Sequence, residues 1–315
     1  MSRLRAGLRG VAWPRPLLVT APGATALRWS VQARVRELGW REALSPAQAD
    51  LLVVCGAPGP GLARALATVW VQLPTPRARV DVTTAADLAR LEEGRQQLGD
   101  DGFQRAEEAA RAPSPADQEM APGGLGMAER GADRDGLSLD QLHPVWGPVL
   151  AHWPAGLRVE LTMQGDVVQQ ATVHLVDEPA EAERVEPRAR AADDLAQVLA
   201  VLGWEHASVR AARVRDELLG GREELVAGLV ARVRRSRGVR VLTQGVGVLD
   251  GADAHTRVLG LLDELAGLEA PAAASRERSL HALPGMLAGI EVADARTVVA
   301  SLPLAPVLSR EPVRG

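Results

Sequence analysis

Apolar positions along this chain fall into two spacings, about every second and every third to fourth residue, and each spacing predicts its own kind of element. Leu17 to Val19 is a short apolar run closed by a Pro22–Gly23 turn. After it Leu27, Val31, Val35 and Leu38 recur at helical spacing, which predicts an amphipathic helix ending near Gly39. Asp50 then introduces Leu51 to Cys55, a run too short for a helix and suited to a buried strand. The turn GAPGPG leads into Leu62, Leu66, Val69 and Trp70 on one helical face. A third strand is predicted over Ala78 to Val82, behind the breaks at Pro74 and Pro76, with a helix through Leu88 and Leu91 after it. Strand and helix in alternation imply parallel βαβ units. Residues 1–98 therefore read as an α/β domain with a short parallel, flavodoxin-like sheet.

From about Gly99 to Gly131 this periodicity disappears, and Pro, Gly, Ala, Glu and Asp take over. Such a composition buries little, so residues 99–135 are expected to form a flexible linker. Beyond it, Leu157, Val159, Leu161 and Met163 alternate strictly, Gly165 and Asp166 supply a turn, and Val167, Ala171, Val173 and Leu175 resume the alternation. That predicts a β-hairpin over residues 157–176 with one buried face. Helical stripes follow between residues 190 and 300: Leu195, Val198, Leu199 and Leu202; Leu225, Val226, Leu229, Val230 and Val233; Val258, Leu261, Leu262, Leu265 and Leu268; and a last short one through Leu280, Leu283, Leu287 and Ile290. Residues 136–315 are thus expected to form a second domain, a hairpin followed by helices.

Composition narrows the function classes. A chain of 315 residues, 46% hydrophobic and 24% charged, has the make-up of a globular protein with room for two cores. All 36 basic residues are arginine, and with a net charge of −4 the arginine content points to base composition rather than to nucleic-acid binding. The cytoplasm is the expected compartment. Cys55 is the sole cysteine, so neither a disulfide framework nor a thiolate cluster is available within one copy of the chain. The six histidines show no i,i+4 pairing for zinc, and Asp133, Asp135 and Asp140 lack the further ligands of an EF-hand. GAPGPG lacks the Lys-Ser/Thr of a P-loop and reads as a tight strand-to-helix turn.

Two stretches carry a resemblance. ADLLVVCGAPGPGLARALATVWVQLPTPR, from Ala49 to Arg77, is similar to the central strand, turn and helix of the small iron-sulfur subunit of respiratory complex I and nickel-iron hydrogenases, including the closing Gln72, Pro74 and Pro76. GPVLAHWPAGLRVELTMQGDVVQQATVHL, from Gly147 to Leu175, resembles the N-terminal hairpin of the large, quinone-site subunit of complex I, and VRRSRGVRVLTQGVGVLDGADA, from Val233 to Ala254, resembles a later segment of it. The chain looks like a fusion of the two, both degenerate.

What the resemblance implies departs from the family where the chemistry sits. Adjacent cluster-ligating cysteines would fall at Thr20 to Gly23, and a further one at Thr83 to Ala85; none is present. The family's quinone pocket uses a loop histidine, matched by His152 with His143 as a competitor, and a tyrosine that this chain lacks altogether. The expectation is a non-catalytic structural or assembly subunit of a complex I-like or hydrogenase-like oxidoreductase, without metal or cofactor. Its partners would be the other protein subunits, with no nucleic acid and with the membrane, at its inner face, reached only through them. Trp146, Trp153 and Pro154 form the expected docking surface. The rivals are a quinone-binding subunit using His152 and a free-standing adaptor.

Overall fold

A computed structural model describes residues 13–110, 129–132, 138–178, 183–269, 274–304 and 307–309. The chain divides into two compact units, one made of residues 1–130 with Pro148–Ala151, the other of Gly131–Gly147 with the remainder from His152.

In the first unit, three parallel strands pair in the order β1 (Pro16–Thr20), β2 (Leu51–Cys55), β3 (Ala78–Val82), in register from Pro16 against Leu51 and Leu51 against Ala78. Every residue of β2 is buried, as expected for a strand covered on both faces. On one face Leu17, Val19, Leu52 and Val54 meet Leu62, Leu66 and Val69 of helix α2 (Pro60–Gln72). On the other, Leu51, Val53, Cys55, Val80 and Val82 meet Val31 and Val35 of α1 (Thr25–Glu37) and Leu91 and Leu98 of α3 (Arg90–Gly99). Between α1 and β2 the chain passes along the free edge of β1, where the Ala43 N–H donates to the Pro16 carbonyl at 2.8 Å, and then lays Ala43 and Ala49 against the α2 face. The sheet is thus short and parallel, and the connection after α1 adds one hydrogen bond at its β1 edge.

The expected linker begins as a helix. α4 (Asp101–Ala110) buries no residue fully and carries a single Phe, so apolar spacing cannot betray it. Polar contacts hold it instead. The Asp100 carboxylate accepts from the N–H groups of Gly102 (2.7 Å) and Phe103 (3.0 Å), and the Gln104 amide bonds both the N–H and the carbonyl of Arg77, each at 2.9 Å. Residues 111–128 and 133–137 lie outside the described parts, and Glu129–Ala132 forms strand β4.

The second unit holds the predicted hairpin, β7 (Leu157–Gln164) with β8 (Val167–Leu175), turning at Gly165 with φ 59°. The other edge of β7 pairs with two short strands, β5 (Ser138–Leu142) and β6 (Val145–Trp146), which behave as one strand interrupted at Pro144. The inner face, Leu157, Val159, Leu161, Met163 and Val168, packs with Leu283 and Leu287 of helix α10 (Arg276–Leu287) and with Val298 and Val299 of α11 (Val292–Ser301). In chain order before those two, a separate core joins α5 (Pro187–Val201), α6 (Glu205–Leu219), α7 (Val226–Arg234), α8 (Arg237–Thr243) and α9 (Ala254–Leu265). A two-stranded parallel pair links β9 (Glu183–Val185) to β10 (Val307–Ser309). Inside the bundle Arg215 is fully buried and bonds Asp193 at 2.8 Å, itself 3% exposed, and Asp216 at 2.8 Å, tying α6 to α5 through a charge that no solvent reaches. Among the described residues no helix is long and apolar enough to cross a membrane.

Candidate functional site

Parallel α/β sheets place their chemistry outside the carboxyl ends of the strands. Here those ends are Ala21, Gly56 and Thr83. They stay level because the Ala21 N–H donates to the Cys55 carbonyl (2.9 Å) and the Gly56 N–H to the Val82 carbonyl (2.8 Å). Gly56 has φ 89°, and a Cβ there would lie 2.5 Å from the Ala24 Cβ, so the turn from β2 is closed tightly on the turn from β1. At the third end Asp87 gathers four donors, the N–H and hydroxyl of Thr83 (2.9 and 2.8 Å) and of Thr84 (2.8 and 3.1 Å). The Thr83 hydroxyl first, then the two N–H groups, hold its carboxyl at about 2.

This donor set does not fit an iron-sulfur cluster. A cluster requires several thiolates converging on one point, whereas the strand ends present methyl groups, backbone amides and hydroxyls already spent on a carboxylate. Cys55 is fully buried within the α1 face of the sheet, and burial pushes its thiol up to about 12, the opposite of a ligand's poise.

The loop from Gly147 to Gly156 is the second place where the sequence put function. Trp146 and Trp153 stand edge to face, ring centroids 5.9 Å apart at 88°, and the Trp153 indole donates to the Leu157 carbonyl at 2.7 Å. Both rings pack against the hairpin core and are half-buried, as is Pro154, so the platform is partly spent on holding the loop. Gly147 makes this possible, since with φ 72° a Cβ would lie 2.2 Å from both the Leu157 carbonyl oxygen and the Trp153 Nε1. His152 is half-buried in a turn with φ 55°, a left-handed backbone unusual for a non-glycine. His143 is exposed, its Nδ1 lying 3.3 Å from the Thr162 hydroxyl.

Sequence reasoning gave no account of the order in the loop from Gln244 to Asp253. Gly247 has φ 56° and fits against Val298, where a Cβ would be 2.5 Å from Cγ2. Arg257 donates to the carbonyls of Gly247 and Ala252, both at 2.8 Å, and to the Ser301 hydroxyl, while burial pulls its guanidinium down to about 10. Asp253 caps α9 through the Thr256 N–H and hydroxyl and also accepts from the Gly245 N–H, each at 2.7 Å. Burial raises its carboxyl, but these hydrogen bonds and nearby His255 prevail and hold it at about 2. The one signal available was an Asp directly before an apolar helical stripe, the usual mark of an N-cap.

A groove of about 600 Å³ runs along α7 past Val226, Val230 and Leu268. Its charged lining is largely committed, Arg188 to Glu223 (2.6 and 3.0 Å) and Arg234 to Asp263 (2.5 Å). Comparison with protein-family models, with characterised proteins and with solved structures yields no match to this chain.

Proposed function

We propose that the chain is a non-catalytic structural or assembly subunit of a complex I-like or hydrogenase-like oxidoreductase, resembling a small iron-sulfur subunit fused to a shortened large subunit. The observation that carries this is the state of the three strand ends. A winding suited to holding a group at its carboxyl edge is kept in register, yet the edge is closed by Ala24 on Gly56 and by the Asp87 capping contacts. In this reading the protein contributes surfaces rather than electron transfer, with a place on the inner face of the membrane beside its partner subunits. A quinone contact at His152 finds no such support, because the chain has no tyrosine to share the headgroup.

The test is purification of the untagged chain with its partners under anaerobic conditions, followed by metal analysis and identification of co-purifying subunits. Cysteine-rich iron-sulfur and antiporter-like membrane subunits in the complex, with no iron above background in the isolated chain, are the expected outcome. Trp146→Ala, which spares the Trp153 bond to Leu157, is expected to reduce that co-purification. Stoichiometric iron in the isolated chain, or turnover between an electron donor and acceptor, overturns the proposal; a chain that elutes alone from its native source favours the free-standing adaptor.

A further inference from the structure

Charge along this chain is segregated. Between Glu224 and Asp250 lie 25 residues, Leu225 to Leu249, that contain five arginines, at 232, 234, 235, 237 and 240, and no acidic residue. Since the whole chain carries −4, the rest carries −4 − 5 = −9. The cationic stretch is not uniformly spent on the fold. Arg232 lies over the Trp204 ring at 5.4 Å and Arg234 pairs with Asp263. Arg240 reaches only the neutral Gln244, at 3.3 Å, and Arg235 and Arg237 meet no carboxylate within 4.0 Å among the described residues.

Helix α8 displays this charge beside apolar surface. Val239 and Thr243 turn into the core, so Arg237, Arg240, Val241 and Gln244 share the opposite face at i, i+3, i+4 and i+7. Val241 is 76% exposed, Leu242 50%, and Val248, from the loop after the helix, 58%. Neighbouring carboxylates are themselves engaged: Asp263 with Arg234, Glu223, which shares a groove with Arg235, with Arg188, Asp253 with Gly245 and Thr256, and Asp250 with Arg278. The loop that carries Val248 is pinned by Gly247 against Val298 and by Arg257 on two of its carbonyls.

We infer that the exposed side of α8, with Arg237, Arg240, Val241 and Leu242 and with Arg235 and Val248 flanking it in the chain, docks directly on an anionic lipid surface. A short run of aliphatics beside guanidiniums, in a stretch of sequence without a carboxylate, complements a headgroup layer, in which arginines meet phosphates while the aliphatic tips reach the acyl boundary. A nucleic-acid partner fits less well, because the stretch holds no aromatic ring for a base to stack upon and sets its apolar groups where a phosphate backbone would lie. The surface belongs to the isolated chain and does not depend on the assembly proposed above.

Co-sedimentation of the full chain with vesicles of phosphatidylcholine containing about a third phosphatidylglycerol, against phosphatidylcholine alone, tests it at near-physiological ionic strength. Binding is expected only to the anionic vesicles and is expected to fall as salt is raised. An arginine near an anionic surface is worth about five-fold in binding, so Arg235→Gln/Arg237→Gln/Arg240→Gln is expected to weaken it by about 100-fold. Val241→Ser/Leu242→Ser is expected to weaken it several-fold, and Arg41→Gln/Arg64→Gln/Arg105→Gln, an equal charge change in the first unit, to leave it nearly unchanged. Thermal melting of each variant separates lost binding from lost fold. Equal binding to neutral vesicles, no loss in the first triple variant, or tighter binding to an oligonucleotide than to the vesicles overturns the inference.

Discussion

Two glycines in the second unit share a left-handed backbone yet stand in different surroundings. Gly147 and Gly165 have φ 72° and 59°, but an added Cβ meets nothing within 4 Å at Gly165, whereas at Gly147 it runs into the Leu157 carbonyl and the Trp153 indole. Gly165→Ala should therefore cost only the backbone term, about 1 kcal/mol. Gly147→Ala should cost about 3 kcal/mol or more, because the Trp153 bond to Leu157 must break as well. Denaturant midpoints of the two variants compare them directly, and equal losses would mean that the indole does not lock the loop. The same argument explains why the loop's packing was only half legible. Gly147 and the tryptophans stand out in the sequence, but whether a tryptophan faces solvent or a carbonyl is settled by a strand residue several positions on.

Helix starts are the next scale. Asp253 caps α9, and its carboxyl sits at about 2 against an ordinary 3.8. A folded-state value below the unfolded one stabilises the folded chain above the unfolded pKa and loses that contribution as pH falls through the folded one. The wild type should therefore exceed Asp253→Asn in melting temperature by a margin that is full above pH 3.8 and fades towards pH 2. A margin that stays constant over that range would remove the cap from the account. Elements declared by large aliphatics at regular spacing, such as the hairpin and the α5, α7 and α9 stripes, were readable from sequence, although the last was read on to Leu268, which lies past the end of α9 and is exposed. α6 was not, because its buried side is Ala207, Ser208, Ala211, Ala212, Val214 and Arg215, small residues and one ion-paired arginine that carry no hydrophobic period. α4 was hidden for a related reason, being held by Asp100 and Gln104. α11 buries Ala295, Thr297 and Ser301 beside its valines, which blurs its stripe in the same way.

At the scale of the whole molecule each unit carries its own cores. Domains built this way hold their stability separately, so a cavity in one should leave the other's protection intact. Leu52 of β2 is fully buried in the core beneath α2, and Leu52→Ala should cost about 2–5 kcal/mol. Hydrogen exchange is expected to accelerate across β1 to β3 while amides of α5 and α6 keep their wild-type rates; acceleration in both places would show that the units open together. The fold class was legible because strand-helix alternation and strict two-residue alternation are long-range patterns. The candidate sites were less so, since the strand ends are defined by what closes on them, and the closing contacts join residues from three separate turns.

Cys55 gives this architecture a practical corollary. A solitary sulfhydryl sealed in the central strand, and too basic to ionise at neutral pH, is silent towards alkylating reagents while the sheet stays shut. The pace at which such a reagent consumes it therefore counts openings of the first unit, giving the molecule an internal stopwatch that needs no engineered label.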